Sequence, residues 1–212
     1  MSDEPIHDTE AAAVPPAGWV LPDLLRPGLR LVFVGFAASE ESARRGHYYA
    51  KGGNAFWRLL HVAGLTPVQL QPEEDARLLD YGLGATDLVK DAWGRDPAVI
   101  GQLRAREPDL DAALRARALD LHARLLAAAP QVICFNGTHT ITGTVLRKGA
   151  LALLNEVSRS TPTPVENGHL GPSLLHTVTS TSGAAAYYYR QREDEFRALK
   201  TLLDTLPDPS AG

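Results

Sequence analysis

Cysteine is almost absent from this chain of 212 residues: Cys134 is the single example. One thiol closes no internal disulfide, and it holds neither an iron–sulfur cluster nor a cysteine zinc knuckle. His47, His61, His139 and His176 show no spacing such as HxxxH that would set two imidazoles on one helix face. No apolar run approaches the roughly 20 residues that a membrane span needs. The opening MSDEPIHDTE is acidic and lacks the basic-then-apolar pattern of a secretory signal. A basic surplus is missing as well. The 21 Lys and Arg face 25 Asp and Glu, a net charge of −4, whereas nucleic-acid binders usually carry the opposite sign. These absences predict a cytoplasmic, metal-free protein without a membrane partner.

What is present is a core. Hydrophobic residues make up 44% and charged residues 22%, the balance of a soluble globular domain. The charge is uneven: Asp3, Glu4, Asp8, Glu10 and Asp23 face only Arg26 and Arg30 in the first thirty residues. The remainder is nearly neutral, so a local basic face stays open. Residues 1–20 and 206–212 are Pro-rich or acidic and read as tails, leaving one domain over 21–205. Within it, Leu31-Val32-Phe33-Val34-Gly35-Phe36 is a short continuous apolar run, the mark of a buried parallel strand. Further strands are expected over 131–135 and 174–178. Tyr81–Val89 is broken by glycines and reads as a short strand followed by a turn. Helices are expected over 54–63, 73–79, 108–129 and 187–205, with Pro108 in the first turn of the third. Strands alternating with helices imply an α/β fold: a three-layer αβα sandwich around a mostly parallel four-stranded sheet. Such sheets bind ligands at the carboxyl ends of their strands. The loops after Phe36, around Asp87, after Phe135 and after Val178 are therefore the places to look.

The loop after the first strand holds small residues (Ala37, Ala38, Ser39), which let a ligand approach the backbone. It also holds two adjacent tyrosines, Tyr48 and Tyr49, able to stack on a flat ring, and Arg44, Arg45 and Lys51, able to meet phosphates. A surface loop with solvated charges has the same composition; the order of residues is more specific. Gly35-Phe36-Ala37-Ala38-Ser39, then Gly46-His47-Tyr48-Tyr49, then Asn54-Ala55-Phe56-Trp57 resembles the first motif of the uracil-DNA glycosylase superfamily, in its mismatch-specific uracil and thymine branch. Pro27-Gly28-Leu29-Arg30, the segment Tyr81–Val89 and Thr179-Ser180-Thr181-Ser182-Gly183 match further family positions in order. The resemblance spans roughly residues 25–205.

The resemblance implies an enzyme that flips a base out of double-stranded DNA and hydrolyses its N-glycosidic bond, with no metal or other cofactor. It implies the same αβα fold, a monomer, and a cytoplasmic or nucleoid location. Tyr49 takes the place of the stacking aromatic, and the backbone around Phe36 and Ala37 that of the base-edge contacts. Ser180, Thr181, Ser182 and Gly183 take the place of the second motif, beside the DNA backbone. One departure matters. The family's first-motif Asn, which positions water, is Ala37 here, and alanine has no polar side-chain atom. Glycosidic cleavage builds positive charge on the sugar, which a nearby carboxylate stabilises while it orients or deprotonates water. Glu40 and Glu41 are expected to point outward; Asp87 is the preferred catalytic candidate, with a turn or helix cap as its plain structural alternative. Asn54 reads as a pocket group or a helix cap, and Asn136 as a base-edge contact or an Asn-Gly turn. Three alanines follow the second motif where a bulky wedge is usual; Tyr187 or Tyr188 either replaces it or packs at the start of the final helix. The expected activity is removal of uracil, preferably opposite guanine. A non-catalytic mismatch-binding protein is the alternative that Ala37 keeps open, and a small-molecule enzyme the one suggested by the acidic charge.

Overall fold

The computed structural model describes residues 18–137 and 150–207, side chains of 184–186 excepted. His139, Arg147, Lys148 and the acidic start of the chain lie outside the described residues. Strand β1 (Leu31–Ala38) sits inside the sheet. Its side chains alternate between two cores: Leu31 and Phe33 enter one, Val32 and Val34 the other. A run apolar at every position is what a strand covered on both faces requires. β3 (Val132–Asn136) repeats the pattern, with Val132 and Cys134 on the first side and Ile133 and Phe135 on the second. The first core is closed by α2 (Phe56–Val62), a 3₁₀ segment (Pro72–Tyr81) and α6 (Tyr189–Thr205). The second is closed by α3 (Asp96–Arg106), α4 (Leu110–Ala128) and α5 (Ala150–Ser158). These are the three layers expected.

The sheet runs β2-β1-β3-β6-β5-β4. β2 (Leu83–Trp93), β1, β3 and β6 (Ser173–Val178) are mutually parallel and form the expected four-stranded centre. A small antiparallel extension, β4 (Val165–Glu166) and β5 (His169–Leu170), brings the strand number to six. Asn167 and Gly168, both at positive φ, make its tight turn. Two-residue strands carry too little alternation to stand out in a sequence.

Three local expectations need correction. Tyr81–Val89 is no short strand and turn; β2 continues unbroken to Trp93. Its glycines serve other ends. Gly82, at φ 69°, caps the preceding 3₁₀ segment, and Gly84 leaves room for the Leu24 carbonyl, which a Cβ would overlap. Leu24 thereby bridges antiparallel to Ala85. Secondly, α4 starts after Asp109, whose carboxylate accepts from the Ala112 amide at 3.0 Å, so Pro108 precedes the helix. Thirdly, residues 40–45, within the expected binding loop, form the short helix α1 (Glu40–Arg45), capped by Ser39. The chain is already engaged at Trp19 and Val20, the end of the expected tail, where the Val20 amide donates to the Lys90 carbonyl at 2.6 Å.

Phe33 ties β1 to both α2 and α6 in the first core. Its ring meets Phe56 edge-on at 5.0 Å and stacks on Phe196 at 5.8 Å, fully buried. Phe33→Ala is expected to lower unfolding free energy by about 3–5 kcal/mol, read as a fall in the urea midpoint at unchanged slope.

Candidate active site

The carboxyl ends of β1, β2, β3 and β6 open into one cavity of about 580 Å³. It lies at the edge predicted for an open parallel sheet. Eleven of the thirteen candidate residues line it: Phe36, Ala37, Tyr49, Lys51, Asn54, Asp87, Asn136 and Ser180 to Gly183. Arg44 and Arg45 do not.

Asp87 lies beside Gly35 in the β1–β2 register. A Cβ at Gly35 would overlap the Asp87 carboxylate, so the glycine is the space into which the side chain folds. Asp87 is 5% exposed, yet among the described residues nothing hydrogen-bonds or ion-pairs with its carboxylate; its backbone carbonyl accepts from Arg124 at 3.2 Å. Burial pushes its pKa up to about 6, with the charge of Lys90 opposing, Asp23 adding to the rise and Arg124 opposing. A desolvated, unpaired carboxylate facing a cavity is the environment from which acid–base catalysts are drawn. Glu40 is exposed, and Glu41 pairs with Arg44 at 2.6 Å.

Tyr49 is held by a pinned loop. Gly46, in the left-handed region, caps α1. The Ser42 hydroxyl accepts from the Ala50 amide at 3.1 Å, Arg45 donates to the Ala50 carbonyl at 2.8 Å, and Asp75 accepts from the Tyr48 amide at 2.9 Å. These bonds hold Tyr49 at φ 53°, a conformation an aromatic residue keeps only when its surroundings enforce it. Phe56 backs the ring at 3.8 Å between centroids, nearly parallel. The Tyr49 hydroxyl is buried, with the Asn136 side chain beside it. Burial and the nearby Asp87 charge hold that phenol well above its ordinary range, Asn136 partly offsetting them.

The opposite wall is the segment after β6. Asn136 accepts from the Thr181 amide at 3.0 Å and donates to its hydroxyl at 2.9 Å. Its side chain is thus spent on joining β3 to the second motif. Thr181 in turn is 1% exposed and accepts from the Ala55 amide through its carbonyl at 2.9 Å. Arg192 donates to the Ser182 carbonyl at 2.7 Å, and Glu195 holds the Thr179 amide at 2.6 Å. Ser180 is buried and bonds Ser182 at 3.1 Å; Gly183 is exposed. Asn54 accepts from the Phe56 amide at 3.0 Å, a capping contact, while also lining the cavity.

The basic candidates divide. Lys51 is exposed, lines the cavity and makes no ion pair among the described residues. Arg44 borders a neighbouring groove of about 430 Å³. Arg45 is turned to Glu73 and the Ala50 carbonyl, and holds the Tyr49 loop. Arg95, which sequence reasoning passed over, lines both spaces with Gly94; it precedes α3, a helix of weak periodicity that gave no signal. Lys90 gave no signal either, because its partners Asp23 and Tyr48 lie far from it along the chain. Tyr187 and Tyr188 do not pack at the start of α6: Tyr187 is 94% exposed and Tyr188 is 49% exposed. Among the described residues no group of His, Cys, Asp and Glu is arranged to hold a metal ion, and no helix is long and apolar enough to cross a membrane.

The fold is an αβα sandwich with a cavity at the carboxyl ends of its parallel strands, where a buried carboxylate and a backed aromatic ring share one lining. Comparison with known families makes the class definite. The model of the uracil DNA glycosylase superfamily matches residues 22–203, and the chain belongs to that superfamily. Among solved structures, the solution NMR structure of a candidate uracil DNA glycosylase from Methanosarcina acetivorans is similar in fold. It has 21% sequence identity and a TM-score of 0.52, over 87% of this chain and 96% of that one. Membership supports a glycosylase type of activity with DNA as substrate.

Because its pKa is raised on folding, Asp87 favours the folded state least when ionised: its contribution is fully present below about pH 4 and lost as pH rises through 6. Asp87→Asn is therefore expected to stabilise the protein by about 3 kcal/mol at pH 8. The gain should disappear near pH 4, measured by urea unfolding at both pH values.

Proposed function

We propose that the protein is a monofunctional DNA glycosylase that removes uracil, preferably opposite guanine, with Asp87 in place of the missing first-motif Asn. The observation that carries the reading is the Asp87 carboxylate: buried, without a partner among the described residues, and lining the same cavity as Tyr49 and Ala37. The flipped base would stack on Tyr49 and present its polar edge to the backbone at Phe36 and Ala37 and to the Asn54 side chain. Asn136 acts indirectly, by fixing Thr181. Lys51, Arg44 and the exposed Gly183 would run along the DNA backbone.

In this reading the bond from C1′ to the base nitrogen breaks and its electron pair leaves with the base. A water oxygen bonds to C1′ on the opposite side. The water gives one proton to the Asp87 carboxylate, which passes it on to solvent, and the departing base anion takes up one proton from solvent, so free base and an abasic site result and Asp87 is regenerated. Ionised Asp87 also stabilises the cationic sugar as charge develops, in a site where solvent screening is weak. The exposed Tyr187 and Tyr188 supply flat rings close in sequence to the second motif and are suited to fill the gap left by the base. Unstacking costs least at a mismatch, which favours guanine-opposed uracil over a fully paired base.

The test is abasic-site formation on a labelled uracil–guanine duplex with chelator present. The wild type should cleave. Asp87→Asn should lower the single-turnover rate on the order of a hundred- to ten-thousand-fold, with DNA binding retained. Equal rates would remove Asp87 from the chemistry. Salt-sensitive binding without an abasic product in the wild type would favour the mismatch-binding alternative that Ala37 motivates.

A further inference from the structure

Behind the cavity lies a cluster of buried charges that the reaction as described does not use. Lys90, 5% exposed, donates to Asp23 at 2.8 Å and to the Tyr48 hydroxyl at 2.8 Å. Asp23 also accepts from Arg124 at 3.0 Å and from the Thr86 hydroxyl at 2.6 Å. The Tyr48 hydroxyl in turn donates to the Pro22 carbonyl at 2.9 Å. Arg124 reaches onward to the Asp87 carbonyl at 3.2 Å. The Trp19 ring lies 4.8 Å from the Lys90 ammonium and 5.3 Å from the Arg124 guanidinium, covering both. Four separate stretches of chain, the strap 19–24, the loop after α1, β2 and α4, meet here.

The cluster has an arithmetic of its own. Lys90 and Arg124 bring two positive charges and Asp23 one negative. Asp120 also meets Arg124, at 2.7 Å, but its side chain is 54% exposed and is screened by solvent. A single positive charge is therefore left over among the buried groups, and Asp87 is the neighbouring anion that balances it. We propose that Lys90 is a positioning residue for Asp87: through the Asp23–Arg124 bracket it supplies the surplus positive charge that keeps the buried carboxylate ionised and directed into the cavity. The inference rests on the reading of Asp87 as the catalytic group.

The groups facing Asp87 support the assignment. From β2 comes Lys90, from the strap Asp23, from α4 Arg124, and from the loop after α1 the neutral phenols Tyr48 and Tyr49. Lys51, Arg95 and Asp96 line the same cavity at its mouth. Burial alone drives Asp87 toward its neutral form, and Lys90 is the strongest opposing charge. A neutral acid at that position could neither accept a proton from water nor stabilise a cationic sugar. Burying a lysine is costly unless it is paired and bonded; here the Asp23 carboxylate, the Tyr48 hydroxyl and the rings of Tyr48 and Trp19 do so.

The experiment is the pH profile of the single-turnover rate on the uracil–guanine duplex, for wild type, Lys90→Met, Lys90→Arg and Asp23→Asn. The acid limb of Lys90→Met is expected to move upward by on the order of one pH unit, and Lys90→Arg should return it. Asp23→Asn should move the limb downward, since it removes a negative charge. A uniform loss of rate in Lys90→Met with an unmoved limb would overturn the proposal and leave Lys90 a merely structural ion-pair partner. Should Lys90→Met not fold, Asp23→Asn still decides: an upward or absent shift overturns it. Titration of the Asp87 carboxyl by carbon-13 NMR, assigned against Asp87→Asn, gives the same answer without turnover. If the wild type cleaves no duplex, the functional reading fails. The NMR shifts of Lys90→Met and Asp23→Asn then still show whether the bracket controls the Asp87 charge.

Discussion

A carboxylate carried to the interior of a sheet loses its water shell, and little in a protein interior replaces it. The site of this protein is arranged around that penalty at Asp87. Gly35 on the neighbouring strand gives up its side chain to make room. Lys90, Arg124 and Asp23 form a charge cluster behind it, and the chain from Trp19 to Leu24 is laid across β2 as its cover. The acid remains elevated to about 6 even so. In the proposed reaction that combination, charged near neutrality yet basic enough to take a proton, is what water activation asks of it.

The two walls of the cavity are rigid for different reasons. On one side Tyr49 sits in a left-handed backbone conformation, fixed by Ser42, Arg45 and Asp75 and backed by Phe56. On the other, Asn136, Arg192 and Glu195 hold successive residues of the second motif. Polar side chains that look free in a sequence are here consumed in holding backbone, and such preorganisation is the usual requirement for an accurate site. Arg45 illustrates the point: its charge faces Glu73 and a carbonyl, so its work is on the loop.

Much of this was readable in advance. The apolar strands, the helix over 110–128 and the strand-end loops follow from hydrophobic period and burial on two faces, which act locally. The order of the motif residues then marked eleven cavity-lining positions. What escaped were features whose signal is weak or ambiguous in a linear string. α3 has little amphipathic contrast, and β4 and β5 have two residues each. The glycines of 81–89 read as breaks because a glycine in a turn and a glycine under a crossing carbonyl are spelled alike. The exposed Tyr187 similarly resembles a core residue until its neighbours are known.

The sequence by itself determined the layers, the edge of the sheet where the cavity opens, and the absence of a polar side chain at position 37. It also singled out Asp87, a carboxylate that lines that cavity. Only the tertiary structure decided that Asp87 has no carboxylate partner among the described residues and fits the space left by Gly35, that Asn136 binds Thr181 instead of closing a turn, and that Lys90, Asp23 and Arg124 form one cluster. The physical reason is range. Periodicity and capping depend on neighbours within a few residues. The strength of a charge depends on distance and on the water excluded around it, and both are set by segments that lie far apart along the chain until the fold brings them together.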